Sequence, residues 1–143
     1  ERVKYYIEKG LEEGADLVRG EVPEKSGKGY YVKPAIFTNV KPGMTIHDEE
    51  IFGPVLSIVK VKDIDEAIKV ANAVDYGLSS AVFGENEKAL EVAKEIKAGE
   101  CYVNTPSKGP SLPFGGYKQS GIGREGGLYG LLEYYELKSV YKK

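Results

Sequence analysis

The strongest constraint on the fold is a regular alternation of strand-like and helix-like segments in the middle of the sequence. Three short apolar segments have the length and composition of strands. They are "PVLSIVKV" (54–61), "SSAVFG" (79–84) and "ECYVN" (100–104). Strands joined by helical crossovers pair in parallel, and the helices cover the faces of the sheet. The sequence therefore predicts an α/β fold with a mostly parallel sheet and helices on both faces.

Amphipathic helices are predicted in the two intervals between these strands. The first begins at Asp63, which forms a capping-box-like pair with Glu66, and the second spans 86–99, with Gly99 as its stop. A further helix is predicted at the start of the sequence, with Gly10 as its end. No capping residue precedes that helix, so we expect the chain to be part of a longer protein. The alternative is a frayed terminal helix in a complete small protein.

Composition and charge exclude several classes of function. The chain of 143 residues is 41% hydrophobic, which is enough for one ordinary core, so one domain is the expectation. A net charge of -2, from 20 basic and 22 acidic residues, gives no field for nucleic acid. The single cysteine, Cys101, cannot form an internal disulfide, and no apolar run approaches the roughly 20 residues of a membrane span. We predict a cytoplasmic protein without nucleic-acid or membrane partners.

Three motifs that suggest chemistry have simpler structural interpretations. Residues 121–126 fit G-x-G-x-x-G, but a polar loop precedes them, so a tight turn into a short helix is favoured over a phosphate cradle. Cys101 lies in a predicted strand, where cysteine usually packs as a small hydrophobe. His47 lacks further ligands at metal-site spacing, so we predict a solvated loop histidine and no metal site.

The stretch "HDEEIFGPV" (47–55) permits two interpretations from its residues alone. In one, Glu49 and Glu50 are solvated acids before a strand, and Phe52 packs in the core. In the other, a carboxylate accepts charge-assisted hydrogen bonds from a diol, beside an aromatic face for a flat ring. Nucleotides have both of these groups.

Two further segments carry specific expectations. "YYVKPAIFTNV" (30–40) is a predicted strand that Pro34 pushes toward a sheet edge or a break. The Gly- and Pro-rich segment 104–127 is a long loop beyond the end of a strand, where ligands of parallel sheets bind. A short helix, about 126–134, and a strand at 136–143 follow. Because an unpaired strand edge is open to another chain, we predict a homo-oligomer formed through 136–143.

Four segments together resemble the C-terminal part of the catalytic domain of the NAD(P)-dependent aldehyde dehydrogenase superfamily, and the likeness extends over essentially all 143 residues. The segments are "GYYVKPAIFTNVKPGMTIHDEEIFGPVLSIVKV", "ANAVDYGLSSAVFG", "AGECYVN" and "LPFGGYKQSGIGREGG". The resemblance implies that residues 1–135 belong to the catalytic domain and that 136–143 form a strand of an oligomerisation arm.

The resemblance also implies roles for individual residues. Glu50 would bind the ribose hydroxyls of the nicotinamide half of NAD or NADP, and Phe52 would flank the nicotinamide ring. Gly53 and Pro54 would form the turn that presents both side chains. Phe114 would line the funnel for the aldehyde, and the loop 105–112 would vary with the substrate.

The family's catalytic groups are implied to lie upstream of this segment. These groups are a cysteine nucleophile, a glutamate base and an asparagine that helps to stabilise the oxyanion. No catalytic residue is therefore expected here, and the isolated chain is predicted to be inactive, although the whole protein would oxidise an aldehyde to a carboxylic acid. Two alternatives stay open: a catalytically silent relative with a structural or interaction role, and a free-standing α/β binding module.

Overall fold

The computed structural model describes residues 1–24, 28–106, 109 and 111–143. The chain divides into two compact units, Glu1–Val74 and Asp75–Lys143. Within the described residues, no helix is both long enough and apolar enough to cross a bilayer. The sequence predicted a domain boundary between 135 and 136, and the division between Val74 and Asp75 does not test that prediction.

The first unit places a three-stranded sheet beside a long helix. In chain order its elements are α1 (Arg2–Glu12), β1 (Asp16–Arg19), β2 (Ala35–Thr38), α2 (Thr45–Asp48), β3 (Val55–Ser57) and α3 (Ile64–Ala71). The strand order is β1-β2-β3, with β1 antiparallel and β3 parallel to the central strand β2. The helix α3 begins as predicted, because the Asp63 side chain accepts a hydrogen bond from the Glu66 backbone N–H at 2.8 Å.

The core of the first unit forms where α1 packs against β2 and α2. Phe37 and Ile7 are completely buried at its centre. Gly10 faces this core, because a Cβ at Gly10 would lie 2.9 Å from Cδ1 of Ile46 and 3.0 Å from Cε1 of Phe37. The prediction that Gly10 ends the helix is therefore wrong. The helix continues to Glu12, and Gly14, with φ +90°, follows it in the left-handed conformation typical of a helix stop.

The described residues of the second unit form two small sheets and two helices. Its elements are β4 (Tyr76–Gly77), β5 (Ser79–Val82), α4 (Asn86–Glu95), β6 (Glu100–Val103), β7 (Tyr117–Lys118) and α5 (Gly127–Leu132). The strands β5 and β6 are parallel, and α4 is the crossover between them. The strands β4 and β7 pair antiparallel.

The α/β class is confirmed, but the prediction of one mostly parallel sheet is wrong for the described part of the chain. Two strand pairs are parallel and two are antiparallel, in three separate sheets. The predicted strand 54–61 is shortened to β3, which pairs with the preceding strand β2. Two parallel strand pairs are therefore joined by helical connections, β2 to β3 through α2 and β5 to β6 through α4. They do not form one continuous parallel sheet.

Three smaller predictions also need correction. Pro34 marks a break immediately before β2, as expected, but β2 is the central strand of its sheet and not an edge. The helix α4 ends at Glu95, because Ile96 is already extended, so Gly99 is not its stop. Residues 136–143 form neither helix nor strand, since a strand requires a hydrogen-bonded partner and the described residues of this chain supply none for them.

Candidate functional site

The EEIFGP segment (49–54) connects α2 to β3 in the first unit. It begins where α2 ends, because Glu49 is extended at φ -109° and ψ 151°. It ends at the three-stranded sheet of the first unit, where the Ala35 backbone N–H donates to the Pro54 carbonyl at 2.9 Å. The segment is thus fixed at both ends by regular elements of the first unit.

The two neighbouring acids of this segment have different surroundings. The buried Tyr6 hydroxyl donates to Oε2 of Glu49 at 2.8 Å, and this hydrogen bond raises the pKa of Tyr6, with burial adding to the effect. The Glu50 side chain is exposed, and no described residue forms a hydrogen bond or an ion pair with its carboxylate. Glu50 is therefore the carboxylate that is open to a ligand, whereas Glu49 is engaged in the protein.

The Arg2 guanidinium of α1 binds the backbone of the EEIFGP segment. Its Nε donates to the Ile51 carbonyl at 3.1 Å, and its Nη2 donates to the Glu50 carbonyl. The same Nη2 lies 3.1 Å from the Tyr6 hydroxyl, and the guanidinium carbon lies 5.0 Å from the centre of the Tyr6 ring. Consecutive carbonyls are thus held by one rigid cation.

Ile51 and Phe52 point in opposite directions. Ile51 is buried in the core of the first unit, whereas Phe52 is 84% exposed. The Phe52 backbone has φ +58°, a left-handed conformation that costs a residue with a Cβ about 1–2 kcal/mol. The interpretation that places Phe52 in the core is therefore wrong. An exposed aromatic side chain on a strained backbone, next to an unengaged carboxylate, is a typical feature of a binding site.

Gly53 allows the segment to approach α1 closely. A Cβ at Gly53 would lie 2.4 Å from Cγ2 of Val3, so a larger residue would push the segment away from the helix. The Val55 N–H donates to the Gly53 carbonyl at 2.8 Å, which closes a tight bend directly before β3. This bend lies where the sequence predicted the Gly53-Pro54 turn.

Phe114 lies in the second unit and is half-buried. It exchanges two backbone hydrogen bonds with Glu125, with N–O distances of 2.7 and 2.8 Å. Its side chain contributes to an open cavity of about 370 Å³ whose wall also includes Leu78, Ile122 and Arg124. Phe114 therefore contributes to a concave surface, which is what a substrate-lining residue requires.

The glycine-rich stretch of the loop supports this cavity. The Arg124 Nη1 donates to the carbonyls of Gly116 and Gly123 at 3.0 and 2.6 Å. Gly123 and Gly126 have φ +83° and +73°, and α5 begins directly afterwards. The interpretation of 121–126 as a turn into a short helix is confirmed. Of the loop 105–112, predicted to vary with substrate, residues 107, 108 and 110 lie outside the described residues.

Cys101 and His47 complete the set of candidates from the sequence. Cys101 is a half-buried thiol in β6, which confirms the strand interpretation. His47 belongs to the short helix α2, and its side chain is only 7% exposed, in contact with the Asp48 carboxylate. The prediction of a solvated loop histidine is wrong, because the turn of α2 folds the ring back onto the protein.

Arg2 and Tyr6 were not predicted as site residues from the sequence. Their only local signal is the four-residue spacing that places them on one face of α1. Their contacts with the EEIFGP segment span 43 to 49 positions of sequence, so no local pattern reveals them.

Residues 1–140 match the profile of the aldehyde dehydrogenase family. A putative aldehyde dehydrogenase of Staphylococcus saprophyticus is 51% identical over 98% of this chain, and one of Staphylococcus aureus is 50% identical over the same share. This chain spans about 30% of the length of each of these curated relatives.

Solved structures give the same assignment. A mutant of aldehyde dehydrogenase C from Pseudomonas syringae, in complex with NAD+ and octanal, is 46% identical with a TM-score of 0.89. The match covers 94% of this chain and 28% of that one. The NAD+ complex of an aldehyde dehydrogenase from Bacillus cereus is 47% identical, with a TM-score of 0.89, over 97% of this chain and 28% of the other. This chain belongs to the aldehyde dehydrogenase family.

Proposed function

We propose that this chain forms the C-terminal part of the catalytic domain of an NAD(P)-dependent aldehyde dehydrogenase that oxidises an aldehyde to a carboxylic acid. Family membership supports the reaction class. The curated relatives are about three times as long, which leaves room for the family's catalytic groups outside this chain. The protein that contains this chain and those groups is called the full-length protein below.

In this proposal, Glu50 and Phe52 bind the nicotinamide half of NAD or NADP. The carboxylate of Glu50 accepts hydrogen bonds from the two ribose hydroxyls, and the Phe52 ring packs beside the nicotinamide. The observation that carries the proposal is the pairing of an unengaged exposed carboxylate with an exposed, strained aromatic residue on an anchored backbone. The cofactor held in this way would supply the hydride acceptor for the oxidation.

The second unit would contribute to the substrate side. Phe114 lines part of the funnel that admits the aldehyde, and its hydrogen-bonded bridge to Glu125 fixes its backbone. Cys101 is not assigned a catalytic role, because it lies within β6 among packed strand residues. The isolated chain is expected to be inactive, since the nucleophile, the base and the oxyanion donor would be supplied by the rest of the protein.

Assembly and location are part of the same proposal. Residues 136–143 carry exposed apolar side chains, with Leu137 97%, Val140 81% and Tyr141 94% exposed. Such a segment is suited to pairing with a second copy as an oligomerisation arm. A homo-oligomer is therefore the expected form of the full-length protein, and its cytoplasmic location stays a prediction from the sequence.

A comparison of the two neighbouring glutamates tests the cofactor role. In the full-length protein, Glu50→Gln removes the charge that the ribose hydroxyls would bind, and a misplaced nicotinamide loses on the order of a hundredfold in rate. The matched control is Glu49→Gln, which keeps an oxygen acceptor for the Tyr6 hydroxyl. Steady-state kinetics with NAD+ and NADP+, together with thermal melts, separate cofactor effects from stability effects.

The proposal predicts that Glu50→Gln impairs turnover or the KM for the cofactor at nearly unchanged melting temperature, and that Glu49→Gln, which keeps an acceptor for the Tyr6 hydroxyl, has a much smaller effect on the kinetics. A large fall in melting temperature with unchanged kinetics for Glu50→Gln would show that Glu50 is structural. A full-length protein that binds the cofactor but oxidises no aldehyde would favour the silent relative.

A further inference from the structure

The geometry points to Arg2 as a positioning residue for the cofactor site: its guanidinium, together with Tyr6, fixes the backbone from which Glu50 and Phe52 project. This inference rests on the proposed function of those two residues. It adds to that function a device in α1, more than 40 positions earlier in the sequence, which sets the geometry of the site.

Arg2 is suited to this role by the number and direction of its contacts. One guanidinium serves the carbonyls of Glu50 and Ile51 from two nitrogens. A rigid planar fork fixes both the distance and the orientation of two consecutive peptide groups, which a single donor on a flexible chain cannot do. These two peptide groups, 50–51 and 51–52, lie between the Cα atoms that carry the Glu50 and Phe52 side chains.

Arg2 is itself held in place by Tyr6. Its Nη2 lies 3.1 Å from the Tyr6 hydroxyl, which in turn donates to Glu49 at 2.8 Å. Tyr6 is buried, with 3% of its surface exposed, and the centre of its ring lies 5.0 Å from the guanidinium carbon. Arg2, Tyr6 and Glu49 therefore form a closed chain of contacts that begins and ends on the EEIFGP segment.

The backbone of Phe52 is strained and needs support from its surroundings. A residue with φ +58° persists in that conformation only when its surroundings determine the backbone. The Phe52 side chain cannot supply that constraint, because it is 84% exposed. The constraint comes from the neighbouring peptide groups. On the N-terminal side, Arg2 binds the Ile51 carbonyl, and on the C-terminal side, the close approach of Gly53 to Val3 limits the movement of the backbone.

The test uses Arg2→Gln in the full-length protein, with NAD+ affinity measured by titration calorimetry. Loss of the charged donor should weaken NAD+ binding on the order of tenfold, while the KM for the aldehyde changes little. The matched control is Lys4→Gln, which removes the same charge from the solvent face of the same helix, where Lys4 pairs with Glu8 at 3.7 Å. Lys4→Gln should leave the affinity unchanged.

A positioning role is distinguished from a general structural role by a double-mutant cycle. Arg2→Gln is repeated in a background that carries Glu50→Gln and Phe52→Gly. Because Arg2 acts through those two residues, its further effect on NAD+ affinity should fall below about twofold in that background. If Arg2→Gln does not fold, Tyr6→Phe, which removes the hydroxyl between Arg2 and Glu49, takes its place in the cycle.

Two outcomes would overturn the inference while the proposed function stands. The first is unchanged NAD+ affinity in Arg2→Gln, and the second is an equal loss in both backgrounds, which would mean that Arg2 acts elsewhere. If Glu50→Gln with Phe52→Gly leaves NAD+ affinity unchanged, the proposed function fails, and the inference fails with it.

Discussion

The two units of the chain are held together in different ways. Among the described residues, the buried apolar side chains of the first unit include Tyr6, Ile7, Phe37, Val40 and Ile46, whereas Ala89 supplies the one buried apolar side chain of the second unit. In the second unit the closest packing is between backbones: a Cβ at Gly99 would lie 1.6 Å from the Gly115 carbonyl oxygen. The first unit is therefore stabilised mainly by packing of buried side chains. The second unit is held together mainly by close backbone approaches that require glycine.

This difference bears on the proposed roles of the two units. A packed side-chain core can hold a strained residue such as Phe52 in place, because each contact restricts the backbone beside it. The second unit presents many exposed apolar side chains, among them Leu128, Tyr129 and Leu131. Apolar surface of this kind marks sites of contact with other protein surfaces or ligands. We expect the first unit to supply a rigid cofactor site and the second to supply contact surfaces.

The largest expected effect comes from removing the centre of the first core. Phe37→Ala should destabilise the full-length protein by about 3–5 kcal/mol, because it leaves a cavity in a fully buried site. The matched change in the second unit, Phe83→Ala, removes a ring that is 70% exposed and should stay within about 0.5 kcal/mol. Thermal melts of both variants measure the difference. Similar shifts for the two would contradict the contrast between the units.

Gly99→Ala tests the backbone contact of the second unit. The added Cβ would collide with the Gly115 carbonyl, so the backbone must move, at a cost of about 1–3 kcal/mol. Gly115 follows Phe114 directly, so the aldehyde kcat/KM should fall as well. The control is Gly84→Ala, where a Cβ has nothing within 4 Å. Equal behaviour of the two alanine variants would show that the close approach is not important.

Phe52→Gly separates stability from function in the first unit. Glycine relieves the strain at φ +58° but adds freedom to the unfolded chain, so the net change in stability should lie within about 1 kcal/mol. NAD+ affinity should nevertheless fall, because the aromatic face is lost. Asn39→Gly is the control, since Asn39 has φ 56° in the same unit and Asn tolerates it well. Calorimetry that shows full NAD+ affinity for Phe52→Gly would remove Phe52 from the site.

The smallest expected effect concerns pH. The pKa of Tyr6 is raised above its ordinary value of 10.0 by the hydrogen bond to Glu49. The stability that this bond provides is complete below pH 10 and is lost as the pH rises through the raised pKa of Tyr6. Chemical denaturation between pH 8 and 11 should therefore show a steeper decline for the wild type than for Tyr6→Phe. Parallel declines would mean that the bond is absent in solution.

Local signals in the sequence predicted much of the fold. The Asp63 capping box and the apolar runs of β5 and β6 were assigned correctly, because each depends on neighbouring residues. Gly10 and Gly99 were misassigned as helix stops, since a glycine needed for close packing has the same local appearance as one needed for a turn. The pairing of β3 with β2 depends on distant contacts and could not be derived from either strand alone.

The candidate site was predictable only in part. The residues of "EEIFGP" suggested a carboxylate and an aromatic face, but only the family resemblance singled out Glu50, because the residues alone do not distinguish Glu49 from Glu50. The structure distinguishes them through Tyr6, which binds one and leaves the other. The exposure of Phe52 was likewise not predictable from the residues alone, because phenylalanine at the start of an apolar strand usually packs inward.

A crystal structure of the full-length protein with NAD+ tests the central claim most directly, because it locates the ribose relative to Glu50. The account predicts that the Glu50 carboxylate oxygens lie about 2.5–3.2 Å from the hydroxyls of the nicotinamide ribose, with the Phe52 ring beside the nicotinamide. A bound NAD+ whose nicotinamide ribose is held by other residues, with Glu50 still facing solvent, would contradict it.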